Sequence, residues 1–90
     1  MTDMDRVDDE SLSRAWIRAM GLRQQIAATA ASIAETEDWV ADTLDRLARA
    51  RPHDADRLRA RAAHARRFAA RERAQAALYR AYPNSTPGTR

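Results

Sequence analysis

The sequence predicts an all-α protein built as an antiparallel hairpin of two helices, and three observations lead to that fold class. Only two Gly and three Pro occur in 90 residues, so helix is favoured almost throughout. Apolar residues recur at every seventh position across the first half of the chain. A Pro-containing break follows that series. We therefore expect helices over about residues 9–50 and 55–82, with frayed residues 1–8 and a disordered tail over 83–90.

The first helix is predicted from its seven-residue apolar repeat. Asp8 is a suitable N-cap, and Asp9 and Glu10 place negative charge where the helix dipole favours it. Gly21 is the only Gly inside the segment, so a bend at Gly21 is the alternative to one straight helix. Such a period is typical of a helix that packs along another helix. The series comprises Leu12, Ala19, Ile26, Ile33, Val40 and Leu47, with Ala15, Leu22, Thr29, Thr36 and Thr43 at the three-residue offset and Trp16, Ala30 and Leu44 at the four-residue offset.

The second helix is predicted to follow a short turn. Pro52 disfavours helical backbone at Arg51, and Asp54 is a suitable N-cap for the next helix. Pro83 then ends that helix. Because the turn is short, the helices must run antiparallel. The predicted apolar stripe comprises Leu58, Ala62, Ala65, Phe68 or Ala69, Ala76 and Tyr79, with Leu78 and Tyr82 beside it.

The hydrophobic content is thin for an independent domain. Of the 40 hydrophobic residues 21 are Ala, which leaves 19 larger apolar side chains for a core. A chain this short buries a small fraction of its surface. We therefore expect the hairpin to dimerise into a four-helix bundle. The alternative is a three-helix monomer bent at Gly21.

Charge divides the chain into two complementary halves. Residues 1–45 hold four Arg and ten acidic residues, a net charge of −6, and residues 46–90 hold twelve Arg and three acidic residues, a net charge of +9. An antiparallel hairpin sets residues 35–45 opposite roughly 59–71. The acidic and basic groups that this pairing brings together are Glu35, Glu37, Asp38, Asp42 and Asp45 on one side and Arg59, Arg61, Arg66, Arg67 and Arg71 on the other.

The predicted helices differ in length: the first spans about 63 Å and the second about 42 Å. Residues 9–21 should therefore project beyond the second helix, with Leu12, Trp16, Ile17 and Met20 on more than one side. These side chains, together with Trp39, are candidate partner-binding residues because aromatic residues and Met concentrate binding energy at interfaces. The alternatives are that a bend or a second copy covers the projecting end, and that Trp39 lies over the neighbouring helix.

The sequence favours protein–protein interaction over catalysis. It contains no Cys, no Gly-rich loop and no metal-ligating His pair, so we expect no enzyme activity, no cofactor and no metal. We expect a small bacterial, cytoplasmic regulator or adaptor that does not associate with membranes. Its partners would be itself, as a homodimer, and another protein. The alternative is a nucleic-acid-associated protein whose second helix binds phosphates through Arg59, Arg66, Arg67, Arg71 and Arg73.

Overall fold

The protein is a long helical hairpin. A computed structural model describes the backbone of residues 2–81 and the side chains of residues 8–81. Helix α1 spans Thr2–Ala50, a 3-10 turn spans Pro52–Asp54, and helix α2 spans Ala55–Ala81. The helices pack against each other, and the described residues contain no strand. The predicted all-α hairpin is therefore confirmed. The predicted tail over 83–90 and Tyr82 lie outside the described residues.

The hairpin is a rod. Its extents are 76 × 23 × 13 Å, and its radius of gyration is 21.3 Å. A compact chain of this length would have a radius of gyration of about 12 Å. The long dimension matches α1 alone, because 49 helical residues span about 73 Å. Two side-by-side helices therefore form a single layer with no enclosed core.

Helix α1 differs from its prediction in two ways. It begins at Thr2 and not near Asp9, so Asp8 lies within the helix and is not its N-cap. It also continues through Gly21, so the alternative of a three-helix monomer bent there is wrong. A Gly inside a helix weakens it by about 1 kcal/mol without breaking it. Outside the backbone of the helix itself, no atom lies within 4 Å of the position that a Cβ would take at Gly21. No contact at Gly21 therefore favours a bend that would fold the projecting segment back on the hairpin.

The turn forms where Pro52 was predicted to place it. The backbone of Arg51 leaves the helical region at φ −129° and ψ 79°, as expected for a residue before Pro. Its N–H still donates to the Leu47 carbonyl at 2.8 Å. The Asp54 N–H then donates to the Arg51 carbonyl at 3.0 Å, which closes the turn. The chain reverses at once and α2 returns antiparallel to α1.

Alanine forms the contact between the helices. Ten of the twelve buried hydrophobic residues are Ala, and the other two are Leu44 and Leu58. Alanine side chains allow two helix backbones to approach closely, although each buries little apolar area. We call this contact the alanine seam. Eight of its ten Ala residues stand at seven-residue intervals through both helices: Ala27, Ala34, Ala41, Ala48, Ala55, Ala62, Ala69 and Ala76.

The apolar pattern predicted in α1 forms this contact only in part. Ala30 and Leu44, at its four-residue offset, are buried, and Val40 and Leu47 pack against the buried cluster. Ile26 and Ile33 remain 43% and 39% exposed, whereas Ala27 and Ala34 one position later are buried. A shift of one residue rotates a helix surface by about 100°, so the predicted series lies beside the contact with α2. The stripe predicted in α2 is largely confirmed. Its Leu58, Ala62, Ala65, Ala69 and Ala76 are buried, Tyr79 and Phe68 are half-buried, and Leu78 is exposed.

Enlarging the alanine seam should destabilise the hairpin. Ala41 is fully buried, so Ala41→Leu must separate the helices or distort them. We expect the free energy of unfolding to fall by about 1–3 kcal/mol, measured by urea denaturation at a fixed protein concentration. Ala28→Leu, at an exposed position of the same helix, is the matched control and should change it by less than about 0.5 kcal/mol. A higher urea midpoint for Ala41→Leu than for Ala28→Leu would contradict this account.

Candidate interaction surfaces

One flank of the alanine seam is closed by ion pairs. A guanidinium nitrogen of Arg66 lies 2.7 Å from a carboxylate oxygen of Asp45 and 3.0 Å from one of Asp42, and Arg73 pairs with Asp38. Hydrogen bonds to Asp45 and then to Asp42 raise the pKa of Arg66 above its ordinary value. All these groups are partly exposed, so the pairs fix the register of the helices more than they stabilise them.

The five candidate phosphate-binding arginines do not share one environment. Arg66 and Arg73 are already paired with carboxylates of α1. The guanidinium carbon of Arg71 lies 5.9 Å from the centre of the Phe68 ring, within the range of a cation–π contact. Arg59 and Arg67 are exposed and form no ion pair within the described part of the chain. Two of the five arginines are therefore paired with carboxylates, one lies over an aromatic ring, and two have no ion pair within the described residues.

The other flank of the alanine seam is apolar and open. We call it the isoleucine face: Leu22, Ile26, Thr29, Ile33, Thr36, Val40, Thr43 and Leu47. None of its eight positions is charged, although 32% of the chain's residues are. Val40 and Leu47 pack partly against the buried cluster, while Leu22, Ile26 and Ile33 are exposed. This face is the apolar series that the sequence predicted, now without a partner in the hairpin.

The threonines make this face more apolar than its sequence indicates. The Thr36 hydroxyl donates to the Ser32 carbonyl at 3.2 Å, and the Thr43 hydroxyl donates to the Trp39 carbonyl at 2.9 Å. Both donors are therefore satisfied within α1. Arg46 also donates to the Thr43 oxygen at 3.2 Å. These hydroxyls need no hydrogen bond from a partner, and the Thr methyl groups remain available for packing.

Shallow grooves run where the isoleucine face meets α2. One is lined by Leu22, Ile26 and Ile33 together with Glu72 and Gln75 of α2. Another is lined by Val40 and Leu44 with Arg61, His64 and Ala65, among others. Glu37, Arg57 and Arg67 also line the second groove. Ion pairs therefore cross one flank of the hairpin, whereas the other flank carries an apolar face bordered by charged side chains.

The overhang, residues 9–21 of α1, extends beyond the end of α2. All its residues up to Ala19 are exposed, including Leu12 at 68%, Ile17 at 64% and Trp16 at 47%, whereas Met20 is half-buried. Leu12 continues the isoleucine face by its seven-residue spacing. Trp16 and Met20 continue the alanine seam, and Ile17 follows on the side of the ion pairs. The four side chains thus form one continuous apolar arc, with a concave surface lined by Leu12, Ser13, Trp16 and Ile17.

Trp39 does not belong to the overhang site. It is 64% exposed and lies on the side of α1 away from α2, so it does not cover the neighbouring helix. It also lies 23 positions from Trp16, about 35 Å along the helix. The structure therefore brings Leu12, Trp16, Ile17 and Met20 together and leaves Trp39 separate, next to the Thr edge of the isoleucine face.

Comparison with known proteins gives no relative for this hairpin. No protein-family model, curated protein or solved structure matches the chain. Among residues 8–81, no group of three or more His, Cys, Asp or Glu residues is placed to hold a metal ion. Neither described helix is long and apolar enough to cross a membrane. Its function therefore has to be inferred from the chemistry of its own surfaces.

Charge reversal at Arg66 should destabilise the hairpin, because a third carboxylate would then face Asp42 and Asp45. We expect Arg66→Glu to lower the urea midpoint more than Arg67→Glu, the adjacent control that has no ion pair. Adding Asp45→Arg to Arg66→Glu should restore part of the loss, as a double-mutant cycle would measure. Independent effects of the two substitutions would show that the ion pairs do not set the register.

Proposed function

We propose that this protein is a small, non-enzymatic protein–protein interaction module, a regulator or adaptor, that binds another protein through its overhang. The observation that carries the proposal is the uncovered apolar arc of Leu12, Trp16, Ile17 and Met20. Contiguous exposed apolar surface on a folded chain commonly marks a binding site. The residue types agree with that role, because Trp is enriched among binding hot spots and Met adapts to irregular partner surfaces.

The overhang has the design of a helix that inserts into an apolar groove. Leu12, Trp16 and Met20 follow one another at four-residue spacing, and helix-in-groove recognition uses anchors at three- and four-residue spacing. Arg14 and Arg18 project on the opposite side and keep it solvated. Three acidic residues, Asp8, Asp9 and Glu10, precede the anchors and are exposed. The favoured partner is therefore a protein with an apolar groove and basic groups at one end.

The overhang would bind with a reduced entropic cost. An isolated helix of this length is marginally stable in water, and ordering it on binding would weaken the affinity. Here the segment is the continuation of a helix whose other half is held by α2. The anchors are thus presented on a helix that is formed before the partner arrives.

Trp16→Ala should weaken partner binding by at least about 2 kcal/mol, roughly thirtyfold, without loss of helix content. A photo-crosslinking residue at Ile17, introduced in the cells that make the protein, should trap a discrete heterologous partner. The same residue at Arg18, on the side of the helix opposite the centre of the apolar arc, should not. The partner recovered in this way then serves for titration against the parent chain and Trp16→Ala.

Three outcomes would contradict the proposal. Equal adducts from positions 17 and 18 would indicate non-specific contact of an exposed helix. Global unfolding of Trp16→Ala, detected by circular dichroism, would show that Trp16 belongs to a core. Loss of dimer mass with no change in the heterologous adduct would make Trp16 part of a self-interface.

Nucleic-acid binding is the alternative, supported by the free charges of Arg59 and Arg67 on a helix with a strong excess of Arg. If protein binding is the main function, affinity for duplex DNA should stay weaker than roughly micromolar at physiological salt. Arg59→Glu combined with Arg67→Glu should then leave partner capture at Ile17 unchanged. Tight duplex binding that falls steeply with salt, and that this double variant abolishes, would favour the alternative.

A further inference from the structure

We infer that the isoleucine face is covered by a second copy of this chain, whose α1 runs antiparallel to the first. This inference concerns the face beside the proposed partner site, shares only Leu12 with that site, and stands without it. The face needs an apolar occupant because three large side chains on it are exposed and no position on it is charged. The hairpin supplies none, since α2 packs on the alanine seam beside it.

The spacing of the isoleucine face is complementary to itself. Its positions alternate at three- and four-residue intervals, the pattern of a helix that packs along a second helix over many turns. When two copies of α1 are placed antiparallel with Thr29 level with Ile33, each larger side chain meets Ala, Thr or Val. The remaining levels pair Leu12 with Ala50, Leu47 with Ala15, Thr43 with Ala19, Leu22 with Val40, and Ile26 with Thr36. Such alternation of large and small residues allows facing layers to interdigitate.

Two neighbouring registers fit less well than this one. A shift of seven residues in one direction would set Leu22 level with Leu47, so that two large side chains would meet. A shift the other way would set Asp8 against Leu47. Two large side chains at one level do not interdigitate as a large and a small one do, and a carboxylate buried against Leu is unfavourable.

A second copy is a better occupant than an unrelated helix for a further reason. The acidic residues of α1 from Glu35 to Asp45, other than Glu37, lie away from the isoleucine face, and three of them are paired with α2. Two copies can therefore meet along this face without bringing these acidic residues together.

The dimer would leave part of each of the two overhangs free for a partner. The second copy covers Leu12, which continues the isoleucine face, but Ile17 and Met20 lie on the sides of α1 that it does not reach. The two Ile17 positions would then stand about 40 Å apart along the rod, facing opposite ends. If the overhang binds a partner as proposed above, the dimer is bivalent and can join two partner molecules.

Disulfide crosslinking can test both direction and register, because the natural chain contains no Cys. Mixing Thr29→Cys with Ile33→Cys, one of them carrying a mass tag, should give the mixed disulfide in preference to either self-pair. Preferential pairing of Thr29→Cys with itself would indicate parallel helices and overturn the antiparallel arrangement. Preferential pairing of Thr29→Cys with Ile26→Cys or Val40→Cys would overturn the register.

Light scattering of the unmodified chain should give about twice its 10.2 kDa mass. Ile33→Glu should convert the protein to monomer, because it places a carboxylate in the self-interface. Ala28→Glu, an exposed position of α1 outside the isoleucine face, should keep the dimer. A monomeric parent chain, or a dimer that survives Ile33→Glu, would overturn the inference. If Ile33→Glu unfolds the chain, the crosslinking result decides. A dimer that yields no heterologous adduct at Ile17 would refute only the proposed function.

Discussion

Close packing of alanine on alanine is the constraint on which the rest of this structure depends. With Ala at every seventh position, the two helix backbones can approach closely, but each contact buries little apolar surface. Among the large apolar side chains only Leu44 and Leu58 are buried in this narrow seam. The others are displaced to its edge or onto the projecting part of α1. The same choice that joins the helices leaves the isoleucine face and the overhang without cover.

The charge pattern decides which edge of the seam stays open. Arg66 and Arg73 reach across to Asp38, Asp42 and Asp45 and close one edge. Arginine suits this role because its planar guanidinium can satisfy two carboxylates at once. The opposite edge carries Ile and Val on α1, and no ion pair spans it within the described residues. The hairpin is thus polarised across its width, which makes one edge suited to further association.

The helices, the turn and the projecting end could be predicted from the sequence, because each depends on local rules. Pro52 ends α1 by its own geometry, and the difference in helix length follows from counting residues. The centre of the packing surface of α1 was placed one residue away from its true position, since large apolar side chains give the stronger periodic signal. The signal that could have corrected it was the uninterrupted spacing from Ala27 to Ala76, which matches between the two helices. The start at Thr2 was missed because Asp8 is as acceptable inside the acidic beginning of a helix as at a cap.

A uniform alanine seam does not by itself specify the position of one helix along the other. Because Ala recurs at the same interval in both helices, sliding α2 along α1 by two turns would again set Ala beside Ala, and the seam itself would hardly distinguish the two positions. The short turn at Pro52–Asp54 prevents such sliding by giving the chain no slack. The turn therefore fixes the position of α2 along α1, and it determines how far α1 projects beyond the end of α2. A longer turn would let α2 slide and the rod change its length while Ala still packed on Ala. The length of the overhang is therefore set by the turn, at the opposite end of the molecule.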